Sequence, residues 1–371
     1  MGLLYSRMVF QPPRPPQYSV ESENELFWIW TASGSRIPVI YYDGGVARKP
    51  TPRNRSEQRT SASPVQELRR YSRPFWKVWP RKSTHVGQEA KVDPREVAAL
   101  LDLSSRAAHG QKLQDTPLER GQGTSGGTAD SRDEMEAGHV LDILNQVPQP
   151  RRERRGYPEE FFTILYSHGN AEDLASAGAY VQLLTTVLGC KAIAYDYTGY
   201  GLSLPAGVRP SEYRFYKDTY ACYRYLINLG VPPERILLIG RSVGSGPTVE
   251  LASRFPIGGV VLIAPLMSCL RVVYPDIRCT IPCLDMFPSI DRIHLIKAPV
   301  LIIHGMQDNV VSICHGRGLY ERCKMKTEPL WLENASHNDI EVHYLSTVLQ
   351  RIRVFSRYCA AFFAERNIER A

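Results

Sequence analysis

The chain has 371 residues, of which 43% are apolar and 22% are charged, with a net charge of +7. This length and composition allow one large α/β domain plus additional segments and exclude wholly disordered or collagen-like chains. Residues 44–156 hold 21 basic and 14 acidic residues, whereas the rest of the chain holds 24 of each. The whole positive excess therefore lies in one internal segment.

The N-terminus matches the pattern for N-myristoylation, because Gly2 follows the initiator and Ser6 stands at the required offset. Such a match also arises by chance. A single myristoyl chain gives only marginal membrane binding, and the basic segment could add attraction to anionic lipid. We expect residues 1–25 to be a membrane-anchor tail that is extended and solvated around Gln11–Pro16.

Two apolar runs, Leu26–Trp30 and Ile37–Tyr42, flank the turn residues Ser33–Arg36 and predict a hairpin over 26–43. The next segment, 44–156, is rich in Arg, Ser, Gly, Pro and Gln. This composition indicates a basic, partly disordered insertion.

The main α/β domain is predicted to span residues 157–371. Its apolar runs are short and nearly continuous, which is typical of strands buried on both faces. Helical stretches separate them, so the pattern predicts a mostly parallel central sheet flanked by helices. The predicted strands are Phe162–Tyr166, Lys191–Tyr195, Ile236–Ile239, Val260–Ile263, Val300–Ile303 and Leu330–Leu332. The predicted helices are Tyr216–Leu229, Thr248–Phe255 and one that follows Asp339.

The eight cysteines all lie at or after Cys190, without regular spacing, which indicates reduced intracellular thiols. Cys279, Cys283 and His294 lack the spacing of a tetrahedral zinc site, so we expect no metal and no other cofactor. No apolar run reaches the ~18 residues that a membrane span needs.

The motif Gly240–Gly244 reads G-x-S-x-G between a predicted strand and a predicted helix. In that context the motif forms a sharp turn that exposes the serine hydroxyl, which makes Ser242 the candidate nucleophile. A purely structural turn is the alternative interpretation.

A serine nucleophile needs a base and a carboxylate that orients the base. Asp308 follows the Val300–Ile303 strand, and His337 follows the Leu330–Leu332 strand, in the chain order serine, aspartate, histidine. His304 is a rival base, but its place four residues before Asp308 favours a structural role.

An oxyanion requires two N–H donors. We expect one from the backbone of Val243 and the other from the backbone of Asn170 or Ala171, in the loop after Phe162–Tyr166. The stretch Asp196–Gly201 is interpreted as a structural turn.

Several short motifs resemble the α/β-hydrolase domain 17 family over about residues 161–358 and again in the hairpin. They are His168–Ala171, Tyr195–Gly201, Gly240–Thr248, Ala264–Ser268, Phe287–Asp291, Tyr320–Cys323 and His337–Glu341. The resemblance implies a membrane-attached serine hydrolase that removes palmitate from cysteines of proteins at the cytosolic leaflet. It carries the triad onto Ser242, Asp308 and His337.

Two features depart from the family. The resemblance implies anchoring through an acylated cysteine cluster near the N-terminus, but this chain has no cysteine before Cys190, and Gly2 acylation is expected to substitute for that anchor. The insertion 44–156 is not covered by the resemblance. The expected partners are S-acylated proteins and the cytosolic membrane leaflet, and the expected location is peripheral on intracellular membranes. Alternatives are an esterase or lysophospholipase with the same triad, and a non-catalytic membrane scaffold. Nucleic acid is not expected as a partner, because the basic segment has no base-reading motif.

Overall fold

The computed structural model describes residues 9–18, 26–44, 46–47, 162–203, 208–281 and 284–368. Gly2 and nearly all of the predicted insertion lie outside these ranges, so the acylation site and the insertion stay predictions. Among the described helices, none is both long and apolar enough to cross a membrane.

Within the described ranges, nine strands form one sheet. They are β1 Phe27–Trp30, β2 Arg36–Asp43, β3 Val46–Ala47, β4 Thr163–Ser167, β5 Lys191–Tyr195, β6 Ile236–Arg241, β7 Gly259–Ile263, β8 Val300–Gly305 and β9 Leu330–Leu332. Their order in the sheet is β1-β2-β5-β4-β6-β7-β8-β9, with β3 paired to β2. Along this order the strands from β5 to β9 pair in parallel, and the pairs β1–β2, β2–β3 and β2–β5 are antiparallel.

Six α-helices lie in the described ranges. They are α1 Leu174–Leu188, α2 Glu212–Asn228, α3 Ser245–Arg254, α4 Cys269–Val273, α5 Ile313–Arg322 and α6 Leu345–Ile368. Adjacent residues of β6 belong to two separate hydrophobic cores. Leu238 packs with residues of α2, α3 and α5, whereas Leu237 packs with residues of α1 and α6. The helices therefore cover both faces of the sheet, as the sequence pattern predicts.

The apolar runs identify the central strands but end too early at β4, β6 and β8, by one residue at β4 and by two at the others. Strands β4, β6, β7 and β8 are buried along their whole length, which confirms the expectation of strands covered on both faces. Strand β6 continues to Arg241, which pairs with Ile263, and β8 continues to Gly305, which pairs with Leu332. Backbone pairing does not require an apolar side chain, so the polar ends of these strands are not marked by hydrophobicity.

Helix boundaries follow capping residues rather than the apolar pattern. Helix α2 begins at Glu212, four residues before the predicted start, because the Ser211 side chain caps it by accepting from the Arg214 N–H. Helix α1 was not among the predicted helices. It begins with a capping box formed by Asp173 and Ser176 and ends at Gly189 in the left-handed conformation, with φ +62°.

The predicted N-terminal hairpin is present, with Trp30 opposite Arg36. The sheet extends beyond its predicted end at residue 43, because Val46 pairs with Asp43 and Ala47 pairs with Tyr42. The first residues assigned to the insertion thus belong to the sheet.

Part of the N-terminal tail packs into the domain. Phe10 is buried, with its ring centroid 4.9 Å from that of Phe215 and 6.0 Å from that of Phe287. Tyr18 is also buried and donates a hydrogen bond to Asp196 Oδ2. The segment Gln11–Pro16 between them has no regular secondary structure and is exposed or half-buried. The tail is therefore fixed to the domain at two aromatic residues, which the expectation of a solvated chain does not include.

Replacement of Phe10 tests how much this packing contributes to stability. Phe10→Ala is expected to lower the free energy of unfolding by about 3 kcal/mol, because it removes a buried ring from an aromatic cluster. The measurement is urea denaturation followed by circular dichroism. The matched control is Gln17→Ala, since Gln17 is an exposed residue of the same segment, and its change should stay within about 0.5 kcal/mol. Equal effects of the two substitutions would contradict the assignment.

Candidate active site

The turn after β6 holds Ser242 in a strained backbone conformation. Ser242 has φ +49°, a left-handed value that is uncommon for a residue with a side chain. A short 3-10 turn, Ser242–Gly244, then leads directly into α3. This strand–turn–helix arrangement is the geometry that G-x-S-x-G predicts.

Two positions in this turn have no room for a side chain. A Cβ atom on Gly240 would lie 2.4 Å from Thr248 Oγ1, and one on Gly244 would lie 2.2 Å from the carbonyl oxygen of Ser167. Glycine is therefore required at both positions. The second contact also shows that the end of β4 packs directly against the serine turn.

The structure brings the three predicted triad side chains into one hydrogen-bonded chain. His337 Nε2 lies 3.1 Å from Ser242 Oγ, and His337 Nδ1 lies 2.6 Å from Asp308 Oδ2. All three residues are buried. With Nδ1 protonated and donating to Asp308, Nε2 is left to accept the proton of the Ser242 hydroxyl.

The Asp308 carboxylate is surrounded by donors. Its Oδ1 accepts from the backbone N–H groups of Val310, at 2.9 Å, and Val311, at 2.8 Å. Burial alone would raise the pKa of Asp308, but hydrogen bonds from His304 and His337 hold that pKa well below its usual range. Asp308 therefore carries a negative charge at neutral pH, which is the state that can orient His337.

His304, the rival base, has a different environment. Its Nε2 lies 2.7 Å from the Val311 carbonyl oxygen and 3.3 Å from Asp308 Oδ2. The side chain is fully buried. The nitrogen beside Ser242 Oγ belongs to His337, so His304 is placed to support Asp308 rather than to take the serine proton.

The predicted oxyanion donors lie on elements that meet at the serine. Val243 directly follows Ser242, and Asn170 and Ala171 follow β4, whose end touches Gly244. Ala171 has φ +57°, which turns the backbone sharply at this point. The catalytic role of these three N–H groups stays a prediction.

The Asn170 side chain binds the N-terminal tail. Its Oδ1 accepts from the backbone N–H of Gln11, at 2.9 Å, and from the Tyr200 hydroxyl, at 2.6 Å. Its Nδ2 donates to the Val9 carbonyl oxygen, at 2.8 Å. These contacts hold the Asn170 side chain on the tail, and the predicted oxyanion donor at this residue is its backbone N–H.

Sequence reasoning did not identify Arg241, which is buried directly before Ser242. The only signal was a basic residue at the first variable position of G-x-S-x-G, and a single sequence does not reveal its partners. Within the described ranges, no group of three or more His, Cys, Asp or Glu residues could hold a metal ion.

The sheet order and the serine turn define the chain as an α/β hydrolase. No family model matches it. It is 47% identical over 199 residues to α/β hydrolase domain-containing protein 17C of Xenopus tropicalis, covering 53% of this chain and 62% of that protein. It is 41% identical over 199 residues to the human protein 17B, covering 53% of this chain and 67% of that protein. The chain belongs to the α/β-hydrolase domain 17 family, and the match spans less than two thirds of the Xenopus relative.

Solved structures with similarity to the chain include two esterases. The Pyrococcus furiosus esterase PF2001 has a TM-score of 0.46 at 18% identity, covering 54% of this chain and 82% of its own. The second is Est1E from Butyrivibrio proteoclasticus, solved with ferulic acid bound. It has a TM-score of 0.45 at 18% identity, covering 55% of this chain and 91% of its own.

Removal of the Asp308 charge tests whether the carboxylate orients His337. Asp308→Asn is expected to lower kcat by about 10³- to 10⁴-fold, because the amide favours the wrong His337 tautomer. The measurement is hydrolysis of a chromogenic short-chain ester. The control Asp276→Asn changes an exposed aspartate and should leave kcat within about twofold. A kcat for Asp308→Asn close to that of the control would rule out this role.

Proposed function

We propose that the protein is a serine hydrolase that cleaves palmitoyl thioesters from membrane-associated proteins. The observation that carries this proposal is the contact chain from Ser242 Oγ through His337 to Asp308, at the carboxyl ends of parallel strands. Side chains in this arrangement activate a serine hydroxyl for acyl transfer.

The reaction has two steps. Ser242 Oγ attacks the thioester carbonyl carbon while His337 Nε2 takes the hydroxyl proton, and the resulting oxyanion accepts from the N–H groups of Val243 and of Asn170 or Ala171. Collapse of this intermediate breaks the carbon–sulfur bond, and His337 returns the proton to the leaving thiol. Water, deprotonated by His337, then attacks the acyl-serine, releases the fatty acid and restores the Ser242 hydroxyl.

The substrate class is supported by the family rather than by the triad. A serine, histidine and aspartate arranged in this way cleave oxygen esters as well as thioesters. The motifs shared with the α/β-hydrolase domain 17 family favour a palmitoylated protein. The alternatives are an esterase or lysophospholipase with the same triad and a non-catalytic membrane scaffold. Probe labelling separates the scaffold from this proposal, and the comparison of substrates separates the other hydrolases.

The membrane location is proposed from two features of the sequence. Acylation of Gly2 would supply one anchor, and the basic segment 44–156 would supply attraction to anionic lipid of the cytosolic leaflet. Both are needed because one myristoyl chain gives only weak, reversible binding. Such a location would bring the enzyme to S-acylated proteins in the plane of the membrane.

Labelling with a fluorophosphonate probe tests the nucleophile. The wild type is expected to react at Ser242, and Ser242→Ala is expected to lose the labelling completely because the attacking oxygen is gone. Ser253→Ala serves as the matched control, since Ser253 lies on α3 and its hydroxyl donates to the Glu250 carbonyl oxygen. Equal labelling of wild type and Ser242→Ala would leave the scaffold as the better explanation.

The same proteins then distinguish the substrates. Release of labelled palmitate from an S-acylated peptide is compared with hydrolysis of a lysophospholipid and of a short-chain ester, as kcat/KM. We expect the palmitoyl thioester to have the highest value. A higher value for the lysophospholipid or the short ester would replace the thioesterase assignment by an esterase one.

Substitution of Gly2 tests the anchor. Gly2→Ala removes the glycine that the myristoylation pattern requires at position 2, so the protein is expected to move from the membrane fraction to the soluble fraction of lysed cells. The control Ser6→Thr keeps a residue that the pattern accepts and should remain with membranes. Membrane association of Gly2→Ala at the wild-type level would refute the myristoyl anchor.

A further inference from the structure

Arg241 is a buried cation at the end of β6, next to Ser242. Only 8% of its surface is exposed. A Cβ atom on Gly169 would lie 2.5 Å from Arg241 Nη1, so the guanidinium packs directly against the backbone of the β4–α1 loop, residues 168–173. Burial of a charge is expensive unless it is paired and hydrogen-bonded.

All three nitrogens of the Arg241 guanidinium donate hydrogen bonds, and their acceptors lie on two different connections of the fold. Toward the β4–α1 loop, Nη1 donates to Glu172 Oε1 at 2.6 Å. Toward the β9–α6 connection, residues 333–344, Nη2 donates to Asn338 Oδ1 at 3.1 Å, and Nε donates to Glu341 Oε2. The planar fork of arginine can satisfy several acceptors in fixed directions, which a lysine ammonium cannot reproduce.

Each connection carries a group that the proposed reaction needs. Glu172 also accepts from the Gly169 N–H, at 2.7 Å through Oε2, which fixes the backbone directly before Asn170 and Ala171. Asn338 directly follows His337 in the chain. The side chain of Arg241 thus reaches both the loop of the candidate oxyanion donors and the neighbour of the base.

The electrostatics around Arg241 indicate that its contacts fix the geometry of the site more than they stabilise the fold. Burial raises the pKa of Glu341 to about 7, although the nearby Arg241 guanidinium opposes that rise. Replacement of a buried ion pair by apolar residues is often neutral for stability, whereas removal of one partner is costly. A three-way contact of this kind is thus better explained by the positions it fixes than by the energy it adds.

We propose that Arg241 is a positioning residue, whose guanidinium holds the β4–α1 loop and the His337 neighbourhood at the distances from Ser242 that acyl transfer requires. This inference rests on the proposed hydrolase function. Removal of the Arg241 guanidinium would displace the oxyanion donors and His337 relative to Ser242. Displacements of about 1 Å in catalytic groups cost on the order of 100-fold in rate.

The experiment compares Arg241→Met, Arg241→Lys and wild type in steady-state hydrolysis of a short-chain ester, at a temperature where all three are folded. Arg241→Met is expected to lower kcat by about 100-fold with KM changed by less than about threefold. Arg241→Lys should recover part of the lost kcat, because it restores the charge without the fork. A short ester is used because it makes few contacts outside the reacting atoms.

The matched control is Arg353→Met. Arg353 is a half-buried arginine on α6 whose guanidinium donates to the Val187 carbonyl oxygen. The substitution Arg353→Met should lower the melting temperature while kcat stays within about twofold of the wild-type value. Should Arg241→Met not fold, Glu172→Ala and Asn338→Ala each remove one arm of the contact, and each is expected to lower kcat about 10-fold at constant KM.

The outcomes separate this inference from the proposed function. If the wild type hydrolyses the ester and folded Arg241→Met retains the wild-type kcat, the positioning role is overturned and the hydrolase stands. The same holds if Glu172→Ala and Asn338→Ala both keep the wild-type kcat. If the wild type shows no hydrolysis and no probe labelling at Ser242, the proposed function is overturned and this inference with it.

Discussion

The left-handed backbone at Ser242 is held in place by the elements on either side of it. Strand β6 lies inside the sheet, paired with β4 and β7, and the chain must then turn into α3 within three residues. A non-glycine residue at φ +49° persists only where its surroundings determine it. Here the turn packs closely against the Ser167 carbonyl oxygen, and this contact holds the backbone of the turn in place. The same packing thus sets the direction of the serine hydroxyl and brings the end of β4 against the serine turn.

Asp308 of the triad and Glu341 beside Arg241 are carboxylates with different hydrogen-bond donors, and this difference sets their charge. Asp308 accepts two backbone N–H groups and lies against two histidines, so its pKa is depressed despite burial. Glu341 has the Arg241 guanidinium and a long contact of 3.5 Å from the Tyr166 hydroxyl, and burial raises its pKa. A permanent charge is therefore placed next to His337, where it orients the base. The second carboxylate depends on Arg241 for its charge, which makes the arginine the centre of that cluster.

Much of the fold could be predicted because a strand buried on both faces leaves a continuous apolar run. The positions of Asp308 and His337 followed from the same logic, since side chains directly after such runs meet at one edge of a parallel sheet. Helix α1 carries a readable signal, because its buried residues Leu174, Ala177, Val181 and Leu184 recur at helical spacing after the Asp173 cap, although it was not among the predicted helices. The sequence could not reveal the partners of Arg241, because they come from connections about 70 and 100 residues away in the chain. Long-range polar contacts leave no periodic signal.

The tail illustrates the same limit and links the proposed anchor to the site. Phe10 and Tyr18 flank a proline-rich stretch without periodicity, so nothing in the sequence marks them as buried. The Asn170 amide binds the backbone at Val9 and Gln11, which ties the tail to the β4–α1 loop. From Gly2 to Val9 an extended chain reaches at most about 25 Å. On the proposal that Gly2 is acylated, this short reach would keep the Asn170 side of the domain close to the membrane.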